Sequence, residues 1–218
     1  MRARILIFAL LVVMAGTPAA RAQQVVDRIV VRVEDDILTL SEVRELGRFQ
    51  QLVNGSGQEN PAGESELIEK LIDQWIVFTE ATAARFPKPA KADVQKELER
   101  FAAQFGSADA YRARLQELGL TAESVARNVE RQIYLAQYLD YKLRPAAQVE
   151  SAQVEKYFRD ELVPELQKRG QEAPSLESVE GQIRELLTQR EISARAAKWL
   201  EETRARLRIE ITGKKNKP

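Results

Sequence analysis

The chain has 218 residues, with 33 Lys and Arg balanced by 33 Asp and Glu, and it contains neither histidine nor cysteine. Those two absences exclude a Ser-His-Asp triad, a cysteine nucleophile and zinc sites built from thiolates or imidazoles. The even charge balance is not that of a nucleic-acid binder.

Carboxylates, lysines, tyrosines and hydroxyls are the catalytic groups that remain. Asp and Glu, however, are scattered at solvent-face spacing along helical patterns, so no catalytic, cofactor-binding or metal-binding residue is assigned. The chain is expected not to be an enzyme.

At the N-terminus Arg2 and Arg4 precede an apolar run over residues 5–15, and Ala20-Arg21-Ala22 supplies small residues at the spacing of a signal-peptidase site. Residues 1–22 are therefore expected to be a signal peptide cleaved after Ala22. The apolar run is too short for a membrane span, which needs about 20 residues. The expected mature product is exported, has no integral membrane segment, and carries a net charge of about −3, because three of the 33 basic residues lie in the leader. Without cysteine it has no disulfide to brace it.

Residues 25–43, VVDRIVVRVEDDILTLSEV, open the mature chain. Ile29, Val31 and Val33 alternate with Val30 and Arg32 at strand period, Glu34-Asp35-Asp36 is the turn, and residues 37–40 form a second strand. Such a hairpin is marginal alone and needs a covering partner. Thr39 and Glu42 have capping-box spacing, with Ser41 a competing cap, for a helix reaching about Val53. A polar loop spans 54–63.

The next helix is predicted over 64–86. Leu67, Leu71, Trp75, Phe78 and Thr82 form its stripe, Ile68, Ile72 and Ile76 widen it, and Pro87 and Pro89 end it. Helices over 90–105 and 107–118 follow, closed by Gly106 and Gly119. Thr121 starts a long helix with Val125, Val129, Ile133, Ala136 and Leu143 in one stripe, flanked by Tyr134, Tyr138 and Tyr141. Ser151 is expected to cap a helix through Val154, Tyr157, Phe158 and Leu162 that Pro164 bends or ends, leaving 164–174 as a linker.

From Ser175 one long helix carries Val179, Ile183, Leu186, Leu187, Ile192, Ala196, Trp199 and Leu200. Strand periodicity then returns in Leu207, Ile209 and Ile211, a candidate third strand for the hairpin. The alternating Arg204, Arg206 and Arg208 read as a solvated face, and 213–218 as a disordered basic tail. The expected fold is mainly α with a small antiparallel β element, a helical domain closed by the N-terminal hairpin and the C-terminal strand.

These residues resemble a known family, the SurA-type periplasmic chaperones, in their N-terminal domain. The likeness is distributed over Val26-Asp27-Arg28-Ile29, Leu40-Ser41-Glu42-Val43, Leu71-Ile72, Trp75-Ile76, Leu118-Gly119-Leu120 and Val154-Glu155-Lys156-Tyr157-Phe158. Residues 174–211 are similar to that family's closing helix and strand. The resemblance implies a chaperone domain over 23–163 and a linker at 164–174 where fuller members carry parvulin isomerase domains. It further implies a returning segment at 175–212. Prolyl isomerisation is not carried over, because that domain and its histidines are missing.

The resemblance implies an ATP-independent holdase in the periplasm for unfolded or extended polypeptide clients, including outer-membrane β-barrel precursors. No phosphate-binding GxxxxGK[ST] loop occurs, in keeping with that. No cofactor and no nucleic acid are expected as partners. The alternative is an exported assembly protein that binds one specific partner or itself as a homodimer. Candidate client-contacting residues are the aromatics Phe49, Phe86, Tyr134, Tyr138 and Tyr141. Phe78 and Trp199 belong to the wider set, with Trp75 and Phe78 weighted toward core packing.

Overall fold

The structure, a computed structural model, describes residues 27–55 and 63–212. The expected signal peptide with its cleavage after Ala22, most of the 54–63 loop and the basic tail lie outside the described residues.

Strands β1 (Ile29–Val33) and β2 (Asp36–Thr39) form the hairpin, and β3 (Ile209–Ile211) pairs antiparallel with the other side of β1, giving the order β2-β1-β3. The third strand expected from RLRIEI is thus present. Its register sets Val31 against Ile211 and Val33 against Ile209. Val31 and Val33 are fully buried at the centre of the sheet. Pairing slips between Ile29 and Val31, so Val30 is bulged; both it and Val31 are buried, which simple alternation does not give.

Thr39 caps α1 (Leu40–Asn54) in a complete capping box with Glu42, so the hairpin passes into the helix without a connecting loop. Helix α2 (Glu64–Ala83) crosses α1 closely: a Cβ at Gly47 would lie 2.9 Å from Leu67 Cδ1. Val43, Leu46, Leu67, Ile68, Leu71, Ile72 and Ile76 pack against the sheet in the first core cluster. Each fully buried aliphatic side chain of this kind contributes about 1.5–3 kcal/mol.

A second cluster joins Phe49 and Leu52 of α1 to α3 (Lys91–Ala103), α4 (Ala108–Leu118) and the first half of α5 (Ala122–Leu143). The third gathers Val77 and Ala81 of α2 with Tyr134, Leu135 and Tyr138 of α5, and Trp199 and Leu200 of α8 (Leu176–Arg204) cover it. Helix α5 therefore changes its buried face midway. Val125 and Val129 serve one cluster, Tyr134 and Tyr138 the other, while Ala136 of the predicted stripe is exposed.

The chain stays helical past the expected break at Pro164. A short α6 (Ser151–Tyr157) runs into a π-helical turn at Phe158–Leu162 and on through α7 (Val163–Lys168). The wide turn lets the Val163 N–H reach the Phe158 carbonyl, and Pro164 lies in the first turn of α7, where its missing N–H is not needed. Glu150, paired reciprocally with Gln153, occupies the cap position expected for Ser151. Non-helical chain between this arm and α8 is thus shorter than the 164–174 linker expected.

Of the three arginines read as a solvated face, Arg206 is exposed, but Arg204 and Arg208 hold distant elements together. Arg204 Nε donates to Asp73 Oδ1 at 2.8 Å and its other nitrogens reach Glu69, clamping α8 to α2. Arg208 binds the hairpin turn through Glu34.

Candidate functional site

Three helix ends decide where the exposed aromatics go. Helix α4 closes with Leu120 N–H on Leu115 O and Gly119 N–H on Gln116 O; α7 closes identically with Gln171 on Leu166 and Gly170 on Gln167. This is the Schellman pattern, in which one residue must be left-handed, and Gly119 and Gly170 supply φ of 61° and 65°. Helix α2 ends the same way, with Phe86 N–H on Ala81 O and Arg85 N–H on Thr82 O, but the left-handed residue is Arg85 at φ 53°. The turn ends the helix before Pro87 and folds Phe86 back toward α5.

Phe86 is the hub of an aromatic ledge. Its ring lies 5.9 Å from Tyr134, 5.5 Å from Tyr138 and 5.3 Å from Tyr141, and Phe78 meets Tyr134 edge-on at 5.9 Å. The Tyr134 hydroxyl donates to the Phe86 carbonyl at 3.3 Å, fixing the turn to α5. The spacing of 134, 138 and 141 on α5 produces one face, and the Phe86 turn then draws it together with α2.

Burial grades this ledge. Tyr134 and Tyr138 are buried and form its floor, Phe86 is half-buried, and Phe78 and Tyr141 stand 46% and 67% exposed. Phe78 is therefore surface and not core. The buried arc of α2 runs along Leu67, Ile68, Leu71, Ile72, Ile76, Val77 and Ala81, which leaves Phe78 and Thr82 exposed, while Trp75 is half-buried against the first core cluster. Periodicity placed a stripe on α2, but choosing between arcs one residue apart needed the positions of α5 and α8.

Phe49 belongs elsewhere. At 1% exposure it is packed with Leu52, Phe101 and Val125 in the second cluster, so the expectation of a contact role for it is corrected: the α3–α4 hairpin covers it. Trp199 is half-buried beneath the ledge, with the Lys142 ammonium 4.5 Å from its ring centroid. Desolvation is the largest influence on Lys142 and lowers its pKa, but Glu80 at 3.0 Å and the Tyr138 hydroxyl together hold it above its ordinary value. That ammonium stays charged and ties α5 to α2 beside the ledge.

An open cavity of about 560 Å³ lies along the ledge, walled by Phe78, Phe86, Tyr134 and Pro89 and rimmed by Arg85, Lys88, Arg127 and Arg131. It adjoins a second cavity of about 330 Å³ under the hairpin, with Phe78 and Arg131 common to both and Ile37, Trp75 and Asp36 on its far side. Trp75 Nε1 donates to Asp36 Oδ2 at 3.0 Å, anchoring the hairpin turn to α2. Together they make a groove from the hairpin to the end of α2, with apolar walls and a charged rim. An extended chain advances about 3.3 Å per residue and alternates its side chains, so such a groove can take apolar residues inward while leaving others wet.

A separate apolar groove of about 600 Å³ opens between the α6–α7 arm and α8, lined by Tyr157, Leu162, Leu166, Val179, Ile183 and Leu186. Among the described residues there is no cluster of acidic side chains that could hold a metal and no helix long and apolar enough to cross a membrane. The chain matches no family model, and no curated protein matches it.

Proposed function

We propose that the protein is an ATP-independent holdase of the bacterial periplasm, binding unfolded exported polypeptides, outer-membrane β-barrel precursors among them. The observation that carries this reading is the ledge of Phe78, Phe86 and Tyr134 along an open groove, with Tyr141 exposed against Phe86 beside it. Large exposed side chains beside a concavity are the usual mark of a binding surface. A floor of buried tyrosines under exposed rings suits weak, adaptable contacts better than it suits one shape-matched partner.

The distributed likeness to the SurA-type N-terminal domain supports the same reading, as does the leader-like N-terminus. The absence of histidine and cysteine from the sequence leaves the groove without the usual nucleophiles and proton shuttles, in keeping with binding as its role. The test is suppression of light scattering by an aggregating unfolded outer-membrane protein. Suppression at near-stoichiometric amounts, weakened by Phe78→Ala with Tyr141→Ala, is expected. No suppression at any ratio sinks the reading.

A further inference from the structure

We propose that the end of the groove at the α2 terminus selects polypeptide segments in which carboxylates flank an apolar residue, and that Arg85 occupies a left-handed position in order to serve that rim. This rests on the holdase reading and specifies which segments the groove prefers.

The first observation is local charge. Four cations, Arg85, Lys88, Arg127 and Arg131, line this cavity against a single carboxylate, Glu130, although the whole chain is balanced. Most arginines elsewhere are paired: Arg144 binds Asp140 and Glu185, Arg184 binds Glu180, and Arg204 binds Glu69 and Asp73. At the groove, Arg127 reaches Glu45 only at 3.8 Å, and among the described residues Arg85, Lys88 and Arg131 have no ion-pair or side-chain hydrogen-bond partner. Cations gathered around a concave, apolar-walled site focus potential toward an anionic ligand.

Backbone conformation is the second observation. The same Schellman closure uses Gly119 and Gly170 at the other two helix ends, yet Arg85 at the end of α2. A left-handed conformation strains a residue with a Cβ, a strain that glycine avoids. Among the described residues no ion pair of Arg85 offsets that strain, and residues held in such regions cluster at functional sites. What the arginine supplies is a guanidinium at the groove rim.

The occupant is an extended polypeptide and not a lipid surface, because the cations ring a trough with aromatic walls instead of standing on an exposed flat face. Aromatic walls take the apolar residue, and the rim takes carboxylates on either side of it.

The test uses short labelled peptides identical except that Glu, Gln or Lys flanks a central Phe-Leu pair, with binding read by fluorescence anisotropy. At low ionic strength the Glu-flanked peptide is expected to bind about tenfold more tightly than the Lys-flanked one, and the preference is expected to vanish in high salt. Lys88→Glu with Arg131→Glu inverts the order. Arg85→Gly raises the melting temperature while weakening the preference, a combination that a merely structural arginine does not produce. Equal affinity for all three peptides overturns the proposal and leaves the holdase reading standing. So does aggregation suppression without binding of any peptide, and so does full competition by vesicles rich in phosphatidylglycerol. Failure of both peptide binding and aggregation suppression overturns the two together.

Discussion

Glu34 and Arg208 exchange backbone hydrogen-bond groups and side chains across 174 residues of chain. The Glu34 N–H donates to the Arg208 carbonyl at 3.0 Å, the Arg208 N–H donates to Glu34 Oε1 at 2.7 Å, and Arg208 Nη2 donates to the Glu34 carbonyl at 3.3 Å. The acidic turn of the hairpin is therefore the receiving half of a clasp, with Glu34 held at φ 52° in it. Everything from α1 to α8 lies between the strands this clasp joins. The groove inherits its geometry from that closure, because the hairpin forms one end and α8 backs the ledge at the other.

Deleting residues 207–218 removes β3 with Leu207, Ile209 and Ile211, all half-buried against the sheet core. The expected loss is about 3 kcal/mol, roughly 1 kcal/mol for each half-buried side chain. Amide hydrogen exchange checks it: protection in β1 should fall far more than in α3 and α4. Unchanged protection in β1 would show that the hairpin stands without its partner strand.

Phe49 and Phe78 should separate stability from binding. Phe49→Ala opens a cavity in a closed core and is expected to cost about 3–5 kcal/mol. Phe78→Ala, at a half-exposed position, is expected to cost below about 1 kcal/mol in urea unfolding yet weaken suppression of client aggregation. Equal stability losses for the two variants would contradict the burial assignment.

Arg204 neutralises two carboxylates on α2. Burial pushes the Asp73 carboxyl up even though Arg204 donates to it, so this carboxylate is costly to leave alone. Arg204→Met is expected to destabilise by about 2 kcal/mol. Adding Asp73→Asn to that variant should recover part of the loss, read as a rise in the urea midpoint. A double variant less stable than the single one argues that Asp73 has another cation to rely on.

Arg144 ties the end of α5 to α8 through Asp140 and Glu185. Its hydrogen bond, helped by Gln189, holds the Glu185 carboxyl down at about 2, and Arg144 likewise keeps Asp140 below the ordinary carboxylate range. Both folded pKa values are depressed, so the unfolded chain takes up protons first on acidification. The contribution is complete above about pH 5 and is lost as pH falls toward about 2. Melting temperatures of the wild type and Glu185→Gln should differ modestly at neutral pH, since these groups are exposed and screened, and converge in acid. A gap independent of pH would assign the effect to packing.

Much of the scaffold was legible because it rests on local rules. Thr39 with Glu42, and Thr121, capped the helices expected of them, and Gly119 ended α4 in the left-handed conformation. The return of strand period at 207–211 pointed to β3, since alternation of branched residues after a long helix has few other uses. Local rules left open whether Pro164 bends or ends its helix; the chain stays helical, with a π turn just before the proline.

The aromatic ledge was legible only in part. Spacing brought Tyr134, Tyr138 and Tyr141 to one side of α5, but sequence could not say that Phe86 would turn back onto them or that Phe78 would face outward. A helical stripe defines an arc without naming what fills it. On α2, Trp75 and Phe78 flank the buried Ile76 and Val77, and only the docking of α5 and α8 fixes which of these neighbours is inside.

By itself, then, the sequence determined a mainly helical chain with strands at its two ends, without thiol or imidazole chemistry and with most helix boundaries. Those properties follow from residue type and period, which act over a few neighbours. The tertiary structure alone decided that Phe49 is core while Phe78 and Tyr141 are surface, that Arg204 and Arg208 are clamps, and that Arg85, Lys88 and Arg131 stand unpaired among the described residues around one groove. Burial and ion pairing depend on which distant elements meet, and no local pattern carries that information.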